Sequence, residues 1–310
     1  MAACMARLLF VMMSHADRPI QAGRVAFENS GSTQQMVNSD SCMYRILKRL
    51  KCVPGWLAIA TFVVVTGRGA LAAELGTLSG RVVFKGKPPV AEKLDLNKDL
   101  AICSKTHPVD EELLVDAKDG GLANVVVSVE LAKGYKLPEV VPPKGRKLAA
   151  EVVMTNKNCR FEPHIAVLTT KQTLVLGNDD PVAHNTLANL FYNTPFNEAI
   201  GTGSTVKKQL TKAERRPAQV SCPIHAWMKG WVVVKDHPYV AVSDIHGRFK
   251  IRDLPSGEWT FQFWQEKAGY LSKMTLESGT VEDKKGIYKL VIKPGENKLG
   301  EITVDASLFE

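Results

Sequence analysis

Beyond residue 74 the sequence lacks any sustained apolar repeat at helical spacing, which argues against a helical fold. It has no Arg-rich stripe interleaved with stacking aromatics, so no nucleic acid is expected as a partner. Gly201-Thr202-Gly203-Ser204 is not followed by the Gly-Lys-Ser/Thr of a phosphate loop and reads as a hairpin turn. No nucleophile stands with a general base in a recognisable pattern, so the chain is read as not an enzyme by itself. Long hydrophobic runs are missing too. The stretch Trp56 to Val65 is short, and Gly67-Arg68-Gly69 ends it before it reaches the length of a membrane span.

The formal charge of +8 at pH 7 belongs mostly to the first 73 residues. They hold eight Lys/Arg against three Asp/Glu, and the remainder is close to neutral. Tyr44-Arg45-Ile46-Leu47-Lys48-Arg49-Leu50-Lys51 is positive, Trp56 to Val65 is apolar, and Ala70-Leu71-Ala72 supplies small residues around a spacer. That order predicts an export signal peptide over 43–73, cleaved after Ala72 or Ala73, and a periplasmic or extracellular location. No stable membrane span is expected after cleavage. Residues 1–42 are unpatterned and are expected to be disordered or absent from the native protein. Met43 sits where a signal would begin.

Export changes the meaning of the few cysteines. Of six, Cys4, Cys42 and Cys52 go with the leader, leaving Cys103, Cys159 and Cys222. In an oxidising compartment two would pair and one would remain. A Cys103–Cys159 disulfide is the expected pairing if Cys222 is a metal thiolate. The alternative is a second metal site from Cys103, His107, Cys159 and His164, although neither spacing resembles a zinc finger.

What is present after residue 74 is a succession of short Val-, Ile-, Thr- and aromatic-rich runs between Gly, Pro, Asn and Asp clusters, the pattern of an all-β fold. The predicted strands are 78–84, 124–130, 149–155, 165–169, 173–176, 184–191, 206–210, 219–222, 231–235, 240–243, 248–252, 258–264, 288–292 and 301–304. Trp259, Phe261 and Phe263 share one face, which should be buried. Lys136–Lys147 reads as a surface loop. Asp110–Gly121 has room for one helical turn at most, with Asp110-Glu111-Glu112 as a solvated face. Asp179-Asp180 precedes Pro181 and reads as a turn.

The densest chemistry lies in Ser221-Cys222-Pro223-Ile224-His225-Ala226-Trp227-Met228. A thiol, an imidazole and a thioether stand within seven positions, two residues apart in each step. Upstream, Asn178-Asp179-Asp180-Pro181-Val182-Ala183-His184-Asn185 offers a second imidazole. Alone, each has a bland reading: Cys as a small buried hydrophobe, His as a satisfied core or surface residue, Met beside Trp as packing. Together, His184, Cys222, His225 and Met228 are the donor set of a blue-copper electron-transfer site. Cys222 would give the thiolate, the histidines neutral nitrogens, and Met228 a weak axial donor.

Residues 149–236 resemble a cupredoxin, the small copper-binding Greek-key β-sandwich. The matching features are a strand at Glu151–Met154 with Phe161-Glu162-Pro163 after it, then Asn178 and His184-Asn185. Cys222-x2-His225-x2-Met228 follows, with Gly230 and a Val-rich closing strand. The loop spacing is similar to that of amicyanins. The resemblance implies one copper cycling between Cu(I) and Cu(II), with an edge of His225 exposed to a redox partner protein of unknown identity. It also implies that Asn185, and less directly Asn178, hold the Cys222 loop in place. The flanks resemble a carboxypeptidase-regulatory-like (transthyretin-like) sandwich. Gly76–Phe84 and Gly121–Val127 match its first strands. Val240–Phe249 and Leu254-Pro255-Ser256-Gly257-Glu258-Trp259 match its later half. Segments 74–148 and 237–310 would then be two parts of one sandwich interrupted by the copper domain; the alternative is two sandwiches in series, with 76–148 contributing extra strands to the copper domain. The expected function is single-electron transport. The rivals are an envelope binding or adhesion protein with a structural or copper-holding site, and a subunit of a copper oxidase or reductase.

Overall fold

A computed structural model describes residues 74–132, 134–135, 137 and 147–310. The segment 43–73 expected to be a signal peptide, the preceding 1–42 and most of the Lys136–Lys147 loop lie outside the described residues. Among those described, regular structure is nearly all β. The first strands are β1 (Leu75–Lys85) and β2 (Val126–Val129). The next group is β3 (Glu151–Lys157), β4 (Arg160–Glu162), β5 (Ile165–Thr169), β6 (Thr173–Asn178), β7 (His184–Ala188), β8 (Phe196–Ile200), β9 (Thr205–Gln209), β10 (Ala218–Ser221) and β11 (Lys229–Lys235). The last group is β12 (Val240–Val242), β13 (Arg248–Pro255), β14 (Gly257–Gln265), β15 (Gly269–Tyr270), β16 (Lys273–Leu276), β17 (Gly279–Glu282), β18 (Ile287–Ile292) and β19 (Gly295–Asp305).

Pairing separates these strands into two layered bodies. One has sheets β13-β1-β19-β16-β17 and β12-β2-β14-β15, with β18 beside β14. Both sheets mix strands from the beginning and the end of the described chain. Between them lies a core that includes Leu78, Val82, Val127, Phe261, Phe263 and Ile302. The alternation along β14 puts Trp259, Phe261 and Phe263 on its buried face. The other body has sheets β5-β11-β10-β7-β8 and β4-β3-β6-β9, all from residues 151–235. Its core includes Met154, Phe161, Leu174, Val220, Val232 and Val234. We call these the outer and inner sandwiches.

The two share a junction. Strand β11 faces the inner core with Val232 and Val234, while Val233 meets Val126, Ile165 and Trp264 on the other side. A strand covered on both faces has no polar side to show, which is why 231–234 reads as a continuous apolar run. Trp231 packs edge-on against Trp264 with ring centroids 4.8 Å apart. Its indole nitrogen donates to Glu266 at 2.6 Å, and Lys235 pairs with Glu130 at 2.7 Å.

Between β1 and β2 the chain sends a strap, residues 86–109, across the inner sandwich. Its stem closes through Leu94 N–H to the Pro108 carbonyl at 3.2 Å and Asp110 N–H to the Glu92 carbonyl at 2.8 Å. Leu96 and Ile102 pack onto the inner core. The strap contains a short helical turn, Leu100–Cys103, and ends in the Cys103–Cys159 disulfide. His107 is exposed, and His164 is engaged with Glu266, so these residues form no second metal site.

Several local expectations are corrected. Gly201–Ser204 does not join a hairpin: β8 and β9 on either side of it belong to different sheets, so it turns the chain from one layer to the other. Asp110–Gly121 stays within its limit of one helical turn, forming turns and an isolated bridge, Val115 to Leu122, while a short helical turn that the sequence reading did not place lies at Leu100–Cys103. The strand predicted over 184–191 stops at Ala188, because the N–H groups of Phe191, Tyr192 and Asn193 turn onto the buried Glu214 carboxylate. Glu111 is not solvated: it pairs with Arg160 at 3.1 Å and lies 3.4 Å from His164.

Candidate metal centre

The upstream donor is placed by a folded-back turn after β6. Asn178 accepts from Asp180 N–H at 3.0 Å and donates to the carbonyls of Val182 at 2.8 Å and Ile200 at 2.9 Å. Strand β7 then starts on His184. The downstream donors follow β10, which pairs with β7. The 222–228 loop closes on itself: Met228 N–H donates to the His225 carbonyl at 2.9 Å, and Cys222 N–H to the Met228 carbonyl at 3.2 Å.

This brings three donors together. Cys222 Sγ is 4.0 Å from His184 Nδ1 and 3.8 Å from His225 Nδ1. The two rings stand 4.5 Å apart at 50°. All three residues are buried, as is Met228. Whether one ion fits is a matter of triangles. Metal–thiolate and metal–imidazole bonds of about 2.3 and 2.0 Å place S and N about 3.7 Å apart at 120°, and about 3.5 Å at the tetrahedral angle. The observed 3.8 and 4.0 Å lie nearer the open, trigonal value than the tetrahedral one, the second somewhat beyond it.

The outer nitrogens are both held by carboxylates. His184 Nε2 lies 2.9 Å from Asp180 Oδ2, and His225 Nε2 lies 2.8 Å from Asp99 Oδ2. An ionised carboxylate only accepts, so each Nε2 carries a proton and each Nδ1 is the nitrogen turned toward the centre. Asp180 is itself fixed by the N–H groups of Asn158 at 2.7 Å and Cys159 at 2.9 Å. Burial works against its charge, but these bonds and His184 outweigh burial and hold its carboxyl below the usual range. Burial likewise opposes ionisation of Cys222. Bonds from His184, the Asn185 N–H and His225 win, bringing the thiol down to about 6. Against burial, Asp180 and Cys222 raise His184 to about 9. With no ion between them, the pair favours thiolate facing imidazolium.

Not every expected contact is made. The Asn185 backbone N–H reaches Cys222 Sγ at 3.3 Å, but its side chain donates to Asn197 at 3.0 Å rather than to the loop. Asn178 organises the turn before His184, with its side chain bonded to Asp180, Val182 and Ile200 rather than to the 222–228 loop. The edge of His225 is not exposed: the residue is fully buried and Asp99 covers it. Asp179-Asp180 is a turn, yet Asp180 also orients His184. Asp99 and Asp180 are the two functional residues that sequence reasoning missed. The four-residue step from Asp180 to His184 could have exposed the second. Cys159 also lies within reach of Asp180 and His184, but its sulfur is committed to the disulfide.

Beside the loop, His164 forms a separate polar knot, with Nε2 2.6 Å from Glu266 and Nδ1 3.4 Å from Glu111. Burial disfavours its charge, but the two carboxylates prevail and raise it from 6.5 to about 9. Because the folded value is the higher, the stabilisation is complete below about pH 6.5 and disappears as pH rises through about 9. Between these limits, denaturant unfolding should lose on the order of 3 kcal/mol that a His164→Gln variant does not lose. Parallel pH profiles for the two proteins would place the dependence elsewhere.

No family model matches the chain, and no curated protein matches it. Solved structures do. A purple cupredoxin from Nitrosopumilus maritimus aligns over 28% of this chain and 100% of its own, at 22% identity and a TM-score of 0.24. A copper-containing nitrite reductase from Thermus scotoductus SA-01 aligns over 35% of this chain and 25% of its own, at 22% identity and a TM-score of 0.26. An amicyanin variant in its oxidised state aligns over 29% and 87%, at 18% identity and a TM-score of 0.26.

Proposed function

We propose that the protein is an exported carrier of single electrons that holds one copper ion in the inner sandwich, and that it is not an enzyme by itself. The observation that supports this best is the convergence of two imidazole Nδ1 atoms on one buried thiolate at trigonal spacing. Copper would supply a one-electron couple whose two states both accept this donor set. The chain's own part is to bind and to hold still. Cys222 offers a thiolate already favoured by its neighbours. His184 and His225 are held by their Nε2–H bonds with Nδ1 turned inward, His184 would release its Nδ1 proton on binding, and complete burial excludes water that would otherwise add to one oxidation state. Three donors on strand ends and a self-closed loop cannot rearrange far, which suits electron transfer with little reorganisation. The signal-like segment and the disulfide support location outside the cytoplasm.

Met228 would be the fourth, weak thioether donor, since the loop folds its buried side chain into the same core as Cys222. Replacing it with Leu should leave copper bound and raise the reduction potential, by about 59 mV for each tenfold of Cu(II) affinity selectively lost. An unchanged potential would remove Met228 from the ligand set.

The covering of His225 by Asp99 favours one second reading, a copper-holding site that exchanges no electrons. Adding Cu(II) to the purified protein separates the two. A strong blue thiolate-to-copper absorption with reversible one-electron voltammetry is the expected result. Tight binding without colour or reversibility would favour storage, and no binding would remove both.

A further inference from the structure

The imidazole edge that a redox partner would meet is covered by a carboxylate delivered from the outer sandwich. We infer that Asp99 is a positioning residue for His225, carried to it by the strap 86–109, which the Cys103–Cys159 disulfide fastens over the metal-binding loop. This rests on the copper reading above.

The local geometry is built for delivery. Asp99 has a left-handed backbone, φ 48° and ψ 37°, a conformation uncommon outside glycine but tolerated by Asp and Asn. Its carbonyl accepts from the N–H groups of Ile102 and Cys103, both at 3.0 Å, and so starts the short helical turn. The carboxylate and the Cys103 sulfur are therefore one turn apart and both meet the inner sandwich: one takes His225 Nε2 at 2.8 Å, the other is bonded to Cys159. Thr106 Oγ1 adds a bond to the Asn158 carbonyl at 3.2 Å, next to the disulfide. Asp99 is one-third exposed while His225 is fully buried, so the carboxylate stands between the imidazole and solvent.

The chemical consequence follows from charge. A carboxylate on Nε2–H fixes the tautomer and makes Nδ1 a stronger donor, which favours the more highly charged metal state. Asp99→Asn keeps the shape and tolerates the left-handed backbone but removes the charge, so the reduction potential should rise. Asp99→Ala removes the bond, and copper affinity should fall by roughly 10–100-fold. The Cys103→Ala/Cys159→Ala double variant frees the strap and should shift affinity and potential in the direction of Asp99→Ala.

The test begins without metal. In ¹⁵N spectra of the apo protein, His225 should carry its proton on Nε2, in slow exchange, and lose that protection in Asp99→Ala and in the double cysteine variant. Copper-loaded proteins are then compared by voltammetry and competitive chelation. Protection lost in both variants, with the potential of Asp99→Asn raised, supports the inference. An unprotonated Nε2 in the wild type overturns it, as do potentials and affinities that Asp99 variants leave unchanged. A double cysteine variant that melts earlier but keeps the Nε2–H protection overturns the role of the strap. Failure of the copper reading shows separately, as a wild-type protein that stays colourless while its apo spectrum still reports the Asp99 bond.

Discussion

Replacing Cys222 with Ser should abolish the blue absorption altogether and lower copper affinity by more than the roughly 100-fold that loss of an outer-shell partner costs. The colour requires electron density on a sulfur bonded to the metal. A serine hydroxyl does not ionise in this pH range, and its oxygen is a harder donor that Cu(I) does not favour. The two imidazoles stay where Asp99 and Asp180 hold them, so residual copper should be bound through nitrogen alone, pale and without reversible electrochemistry. The fold should survive, because the substitution removes little volume and the Asn185 N–H that now meets sulfur at 3.3 Å can meet an oxygen instead. Unchanged far-ultraviolet circular dichroism beside a lost visible band is the expected pair of observations. A blue Cys222→Ser protein would mean that the colour has another origin, and the trigonal site would have to be abandoned.

That site was legible because its donors announce themselves locally. Cys222, His225 and Met228 fall within one short loop, and His184 opens a strand that pairs with the strand leading into Cys222. The strands were legible for a similar reason: alternation at 257–265 and the unbroken valines of 232–234 each have a direct cause in what covers them. The rest was hidden by distance. Asp99 is 126 residues from His225, in a segment with no periodicity. Nothing about Asn97-Lys98-Asp99-Leu100 says that its carboxylate will cross from one sandwich to the other. Family resemblance pointed the wrong way, since it implied a bare imidazole edge. β8 was missed as well, because Phe196–Ile200 is half-polar and lies at a sheet edge. Edge strands have one row of backbone groups to satisfy with water, so their sequences need less β character.

The outer sandwich is therefore part of the chemistry and not only a neighbour. It contributes Asp99 to the centre, Glu266 to His164 and Trp264 to the junction. A domain that merely docked beside the His184–Cys222–His225 cluster would have no reason to send 24 residues over it and fasten them covalently.

The same fastening governs stability. The Cys103–Cys159 bond spans 56 residues and crosses from the outer sandwich to the inner one. In the chain-entropy account a closed loop of that length stabilises the native state by about 4 kcal/mol. Cys103→Ala/Cys159→Ala should lose about that much, a fall in melting temperature of roughly 8–16 °C for a chain of this size. Wild-type protein under reducing conditions should fall by a comparable amount. The shape of the transition should change too. Without the bond the sandwiches are held by the strap's remaining contacts and by a junction core of Val126, Ile165, Val233 and Trp264, small beside the core of either sandwich. Calorimetry should then show two transitions where the oxidised protein shows one. The His164 knot, which bridges the two bodies through Glu266, should control the separation between the transitions as pH is raised. A single transition with less than about 1 kcal/mol lost would mean that the junction alone couples the sandwiches and that the covalent link contributes little.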